Sequence, residues 1–340
     1  MKVAVYYRNS DVRIEERPRP SAGEGELLVR VRASGICGTD VMEWYRIKRA
    51  PLVLGHEIAG DIAEVGPGVA RYKPGERVFV SHHVPCNTCR YCLDDKKTVC
   101  ETLHTTNFDP GGFAEYVRVP RINTDRGVFV LPDSMSYEEG CFIEPLACVR
   151  RGQRLAGVRP GKTVLVLGSG LSGMLHIALA RATGCAKVLA TDVSPWRIAK
   201  AREFGATASI DAREDVPAWV RSENKGLGAD IVFVCTGAES AFRQALRSVD
   251  RGGVVVCFAP TGPGVELPIP VNEFWRNGIT VMPSYANDAR DALEAMDLIA
   301  SGAVPVAKMI THRLPLEQAQ EGFRLTAEAK DSLKVVLIPG

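Results

Sequence analysis

The sequence predicts an α/β protein of two domains, one β-rich and one built on a six-stranded, doubly wound parallel sheet. Three observations lead there. The chain has 340 residues, more than one ordinary domain holds. Up to about residue 145 it reads as short strands punctuated by Gly and Pro. Beyond about residue 150, near-continuous apolar strands alternate with helical stretches, the pattern of a parallel sheet covered on both faces.

In the β-rich part, segments 26–33, 58–65 and 76–80 are rich in β-branched residues and alternate in polarity, which favours strands. Gly66-Pro67-Gly68 and Lys73-Pro74-Gly75 bound them as turns. In the second part, strands are expected at 163–167, 187–191, 230–235, 253–257 and 279–285. Helices are expected at 172–183, 194–204 and 239–249, and the set suits a six-stranded doubly wound sheet. A helix over 288–301 and the segment from Met309 onward are expected to return to the first domain, closing with a strand over 334–338. No internal repeat is visible.

Composition narrows the function classes. With 46% hydrophobic and 24% charged residues the chain reads as soluble and globular. A net charge of +2 calls for neither a nucleic-acid nor an anionic-membrane partner. The apolar run that follows Lys2 meets charge again at Arg8, too early for a secretory signal, and no apolar run spans a bilayer, so a cytoplasmic location is expected. In that compartment ten cysteines point to metal or apolar packing rather than disulfides. Cys148, Cys185, Cys235 and Cys257 lie in or beside apolar segments and read as core residues.

Gly168-Ser169-Gly170-Leu171-Ser172-Gly173 follows an expected strand and opens an expected helix, the context that makes this glycine pattern a dinucleotide site. Gly168 allows the tight turn, Gly170 lets the backbone approach a pyrophosphate, and Gly173 lets helix pack on strand. The helix N-terminus then offers N–H groups to the phosphates. Asp192, at the end of the second strand, suits the adenosine ribose hydroxyls and repels a 2′-phosphate, favouring NAD over NADP. Arg197 has two readings: a partner for that phosphate, or a cation stacked on adenine or solvated on its helix. Leu171, Ser172, Cys235, Thr236, Phe258, Ala259, Pro283 and Ser284 complete the candidate cofactor-binding set.

Cys86, Cys89, Cys92 and Cys100 crowd one short loop. Four thiolates suit a closed tetrahedral zinc with no position left for chemistry. An iron–sulfur cluster is the competing reading, and the lack of a ferredoxin-like Cys-Pro run favours zinc. His82 and His83 precede this loop and are assigned surface or hinge roles, since four cysteines already fill a zinc. Cys37, His56, Glu57 and Glu144 form a second, dispersed set. Singly each has an ordinary structural role; together they offer the mixed S, N and O donors of a catalytic zinc with an exchangeable position. Trp44 and Tyr45 either line a substrate cleft or pack in the core, and Tyr285 is a third candidate for the pocket.

Residues 55–69, from Gly55-His56-Glu57 to Gly66-Pro67-Gly68-Val69, resemble the signature of zinc-dependent medium-chain alcohol dehydrogenases. Gly35-Ile36-Cys37-Gly38-Thr39-Asp40, the four-cysteine loop and the glycine turn resemble the same family in the same order, over the whole chain. Glu57 with Ile143-Glu144-Pro145-Leu146 resembles the sorbitol (L-iditol) dehydrogenase branch, with threonine 3-dehydrogenases close behind. The resemblance implies a GroES-like catalytic domain over 1–148 and 286–340, a Rossmann NAD-binding domain over 149–285, and an active site in the cleft between them. It implies that Cys37, His56 and Glu57 bind a catalytic zinc, that Glu144 binds it directly or through water, and that Thr39 passes the substrate proton outward. It also implies one structural and one catalytic zinc per subunit and a homotetramer or homodimer.

The expected reaction is oxidation of a secondary alcohol of a polyol-like substrate to a ketone. Threonine, cyclitol, aminocyclitol and butanediol dehydrogenation are the alternatives. Three positions depart from the pattern. Met42 stands where many relatives place the histidine that ends the proton relay. Ser284 stands where sorbitol dehydrogenases carry an arginine that touches substrate, and Ser172 replaces an aliphatic residue of the glycine turn.

Overall fold

Alternation is what builds the first sheet. The strand Leu27–Gly35 turns Leu27, Val29 and Val31 onto Ile58, Ile62, Val78, Val80, Val117 and Val119 of its neighbours, all buried. The computed structural model describes residues 1–340, which divide into two units, Met1–Ala147 with Ala286–Gly340, and Cys148–Tyr285.

In the first unit the main sheet runs Ile310–Pro315, Lys334–Ile338, Leu27–Gly35, Glu57–Val65, Arg77–Ser81, Val128–Val130, with Tyr116–Val119 also pairing to Leu27–Gly35. A smaller sheet joins Asp11–Glu16, Lys2–Arg8 and Leu52–Val53. A second core, around Tyr6, Phe113, Phe323 and Leu337, brings the first and last parts of the chain together. This is the β-rich, GroES-like domain that the sequence predicts.

The second unit is a parallel sheet in the order Ala208–Asp211, Lys187–Asp192, Thr163–Leu167, Ala229–Val234, Val249–Cys257, Thr280–Pro283. That is the doubly wound dinucleotide-binding order, reversing beside the first strand. Thr163–Leu167 is buried along its whole length because it has strands on both sides and helices on both faces. Ala208–Asp211 is the strand not legible in the sequence, being four residues long with one buried side chain. The four expected helices begin and end within a residue or so of expectation, Ser194 and Asp288 serving as N-caps rather than helical residues, while Val216–Glu223 and Val271–Asn277 are helices the sequence reading did not place. No helix is long and apolar enough to cross a membrane.

Candidate active site and metal centres

Strand register assembles the first site. Gly35 pairs with Glu57, and Glu57 with Ser81, across three antiparallel strands. Cys37, His56 and His82 sit one or two residues beyond that row, so pairing alone carries them to one end of the sheet. The ligand atoms of Cys37, His56 and Glu57 lie within 4.8 Å of one another. Gly55, at φ +91°, turns the chain into His56 where any Cβ would press on Phe113.

Glu57 is fully buried, and its Oε2 accepts from the equally buried ammonium of Lys334. Lys334 also donates to the Ile36 carbonyl at 3.3 Å. Burial opposes the lysine's charge, but Glu57 and then Cys37 outweigh it and raise its pKa. A Cβ on Gly35 would collide with both partners, so that glycine makes room for the pair. The other carboxylate oxygen, Oε1, is buried without a hydrogen-bond partner. Such an oxygen is costly unless a cation or donor reaches it.

His56 carries the same message. Burial disfavours its charged form, yet Asp40 and Cys37 raise its pKa well above the usual imidazole range. The pocket favours positive charge, and its donors are one thiolate, one imidazole and one carboxylate, which fits zinc. Asp40, fully buried, fixes the donors. Its Oδ2 accepts from the Cys37 backbone N–H at 3.1 Å, and its Oδ1 lies 3.4 Å from both His56 Nδ1 and Arg46 Nη2. A carboxylate behind a ligating histidine sets the ring and leaves Nε2 for the metal.

Thr39 stands against this group, its hydroxyl donating to Cys37 Sγ at 3.3 Å. Arg46 closes its other side, Nη2 donating to Thr39 Oγ1 at 3.1 Å and Nε to the Thr39 carbonyl at 3.0 Å. Glu144 lies in the first turn of the helix Ile143–Leu155 and is not among the three clustered ligands. Its Oε1 accepts from Asn287 Nδ2 at 3.3 Å. Trp44 and Tyr45, on the one-turn helix Glu43–Arg46, are each 41% exposed, and Tyr285 is half-exposed. They are not core residues.

His82 and His83, expected in surface or hinge roles, are half-buried and lie beside the first site. The tilted His82 ring lies 4.8 Å from the His56 ring and 3.7 Å from His83, centre to centre, and its Nδ1 is buried without a partner. Burial pushes His83 down to about 3. The cause is the strand Arg77–Ser81, which delivers them to the same end of the sheet as His56.

The second cluster is the loop of Cys86, Cys89, Cys92 and Cys100, whose ligand atoms also lie within 4.8 Å. Sγ–Sγ separations are 3.6 Å for Cys89–Cys92, 3.6 Å for Cys86–Cys100 and 3.9 Å for Cys86–Cys92. Thiolates placed tetrahedrally about 2.3 Å from a zinc would stand about 3.8 Å apart, so the spacing fits one ion and no disulfide. Backbone N–H groups of Thr88 and Cys89 donate to Cys86 Sγ at 3.4 and 3.2 Å. With the Thr88 side chain they lower the Cys86 pKa to about 5.

In the second unit Gly168 takes φ +91° directly after its strand, and Gly170 caps the helix Leu171–Ala182. A Cβ on Gly173 would collide with the Gly168 carbonyl, so helix and strand meet only through glycine. Asp192 is nearly buried; its Oδ2 accepts from Ser169 N at 2.8 Å and its Oδ1 from Ser194 N at 2.9 Å. The carboxylate thereby ties the glycine turn to the end of the second strand. Arg197 reaches beside Gly170, 3.7 Å from where a Cβ would stand. Cys235, Thr236, Phe258 and Ala259 follow the carboxyl ends of the next two strands, and Pro283 and Ser284 end the last. The turn, the carboxylate and the free helix N-terminus fit a dinucleotide.

Sequence reasoning missed Lys334, Arg46 and Asn287. Lys334 opens a strand that reads as wholly apolar, and its only signal is a lysine where burial is expected. Arg46 and Asn287 carry no pattern of their own.

Residues 23–133 match the alcohol dehydrogenase GroES-like domain family and residues 173–301 the zinc-binding dehydrogenase family. The chain is 32% identical over 353 residues to the sorbitol dehydrogenase of Bacillus subtilis (strain 168), covering 100% of this chain and 97% of that one. Among solved structures it resembles the alcohol dehydrogenase TADH of Thermus sp. ATN1, with a TM-score of 0.89, 30% identity and 100% of both chains covered. It also resembles 2R,3R-butanediol dehydrogenase from Bacillus subtilis, with a TM-score of 0.87, 29% identity and 100% and 99% coverage. With its ligand clusters and doubly wound dinucleotide domain, the chain belongs to the zinc-dependent medium-chain dehydrogenase/reductase family and is an NAD(P)-linked oxidoreductase acting on a CH–OH group.

Proposed function

We propose that the protein reversibly oxidises a secondary hydroxyl of a polyol-like substrate to a ketone, with NAD as the hydride acceptor. The observation that carries this reading is the convergence of Cys37, His56 and Glu57 within 4.8 Å, with the Thr39 hydroxyl bonded to Cys37. Zinc held there would supply Lewis acidity to the substrate hydroxyl, and a bound dinucleotide would supply the hydride acceptor. Cys37, His56 and Glu57 are the proposed ligands of that ion, and Cys86, Cys89, Cys92 and Cys100 those of a second, structural one.

Thr39 holds the substrate hydroxyl by hydrogen bond and takes its proton toward water. Met42 has no proton to pass and Arg46 no lone pair to accept one. Glu57 keeps one oxygen on Lys334 and has the other to offer. Glu144, held by Asn287, is the proposed second carboxylate, binding through water. Asp192 and Arg197 frame the adenosine end, and the nearly buried Asp192 carboxylate supports NAD over NADP. Thiolate sites of this kind call for a reducing compartment, which supports the cytoplasm.

A homodimer or homotetramer is also proposed. The last strand of the parallel sheet, Thr280–Pro283, is an edge, and near it in sequence Val271 and Trp275 are 71% and 80% exposed. Unpaired edges and apolar patches of this kind are where chains associate.

The test is a panel of sorbitol, xylitol, inositols, threonine and 2,3-butanediol, each with NAD and with NADP, read by absorbance of the reduced cofactor. Metal content is measured on the same sample. Two zinc ions per chain with turnover of a polyol is expected. A preference for threonine or butanediol redirects the substrate assignment, and a protein active without metal refutes the mechanism.

A further inference from the structure

We propose that the natural substrate carries, close to the hydroxyl that is oxidised, an anionic group that the Arg46 guanidinium receives. The inference rests on the reading of Cys37, His56 and Glu57 as the alcohol-oxidising site.

Arg46 is anchored on one edge only. Nε and Nη2 hold Thr39 and reach Asp40, while Nη1, with two N–H groups, makes no hydrogen bond within the chain. The Tyr45 ring lies 4.7 Å from the guanidinium carbon and fixes its plane. The only carboxylate paired with it is Asp40, whose side chain is 0% exposed against 14% for Arg46. A ligand arriving at the Thr39 hydroxyl therefore meets the cation before the anion behind it.

The other groups around it do not supply the missing negative charge. Glu43, in the same turn, is engaged elsewhere, its Oε2 accepting from Asn9 N at 3.0 Å. His82 and His83 bear no negative charge in either of their ordinary protonation states. Lys48 and Arg49 follow in the exposed turn Ile47–Arg49 and add positive potential to the approach.

A neutral polyol gains little from a permanent cation with open N–H groups. A carboxylate or phosphate gains charge-assisted, fork-shaped hydrogen bonds. Arg46 Nη2 stands 3.1 Å from Thr39 Oγ1, so the anionic group lies within a few bonds of the carbinol. The reaction balances as before: the carbinol carbon gives a hydride to the dinucleotide and the hydroxyl a proton to solvent, while the anionic group is unchanged.

The test compares kcat/KM for D-sorbitol, D-sorbitol 6-phosphate and D-gluconate with NAD, at low and raised ionic strength, in wild type, Arg46→Gln and Arg46→Lys. Calorimetric titration of both anions accompanies it. In wild type one anion is expected to exceed sorbitol by more than tenfold, with an advantage that shrinks as salt rises. The two anions separate phosphate from carboxylate. R46Q lowers activity on all three through Thr39, but is expected to lower the anion-to-sorbitol ratio by a further tenfold or more and to abolish anion binding, with R46K intermediate. Equal or better use of sorbitol by wild type, or an unchanged ratio in R46Q, overturns the inference and leaves the alcohol-oxidising reading intact. No turnover of any substrate, with anion binding that still requires Arg46, overturns that reading instead and keeps the anion site. Should R46Q fail to fold, the wild-type preference and its salt dependence decide alone.

Discussion

Replacing Lys334 by Met removes one partner of an ion pair in which both side chains are 0% exposed. Met fills much of the lysine's volume, so the cavity term is small and the loss is electrostatic. Glu57 then keeps a buried charge without its ammonium, and breaking such a pair from one side costs about 3–5 kcal/mol. Glu57→Gln alone strands the ammonium and is expected to cost a similar amount. The double variant Glu57→Gln/Lys334→Met has no unpaired charge and is expected to lose much less stability than the sum of the two single losses. Urea unfolding of metal-stripped protein, followed by Trp fluorescence, reads the three differences. Single losses under about 1 kcal/mol, the range of an exposed pair, or strict additivity in the double variant, would refute the argument that Lys334 exists to neutralise Glu57.

Three further outcomes follow from the same geometry. Cys100→Ser is expected to reduce bound zinc from two ions to one per chain and to make the loop 86–100 susceptible to protease; retention of both ions in elemental analysis would count against the four-thiolate site. His176 is fully buried, its ring stacked 4.0 Å from Phe233, and burial lowers its pKa to about 3. The unfolded chain binds its proton near pH 6.5 and the folded chain does not, so stability falls as pH drops from 6.5 toward 3, by about 1.4 kcal/mol per pH unit. His176→Met should flatten that slope, and unfolding midpoints across the range measure it; an unaltered slope in the variant means other groups carry it. Gly173→Ala forces a methyl onto the Gly168 carbonyl and is expected to raise the KM for NAD more than tenfold while both zinc ions stay bound, a split that dialysis and steady-state kinetics resolve.

Much of this protein is written locally. The apolar run Thr163–Leu167 followed by Gly168, Gly170 and Gly173 specifies a strand, a left-handed turn and a close helix packing, because each depends on residues within one short segment. Cys86, Cys89, Cys92 and Cys100 are likewise close enough in sequence that their spacing alone fits a tetrahedron. The short strand Ala208–Asp211 escapes such reading: it is held by pairing to Lys187–Asp192 rather than by its own pattern.

The sequence by itself determined the residue types of the catalytic cluster, the glycine turn and the thiolate loop. Only the tertiary structure decided which dispersed groups meet. The register Gly35–Glu57–Ser81 brings Cys37, His56 and His82 to one end of a sheet, and sets beside His56 two half-buried histidines that a filled four-cysteine site left without a role. Lys334 reaches Glu57 because the last strand, Lys334–Ile338, pairs with one of the first, Leu27–Gly35. Contacts between residues nearly three hundred positions apart are set by strand order and register. Those belong to the energy of the whole sheet and to no single stretch of chain.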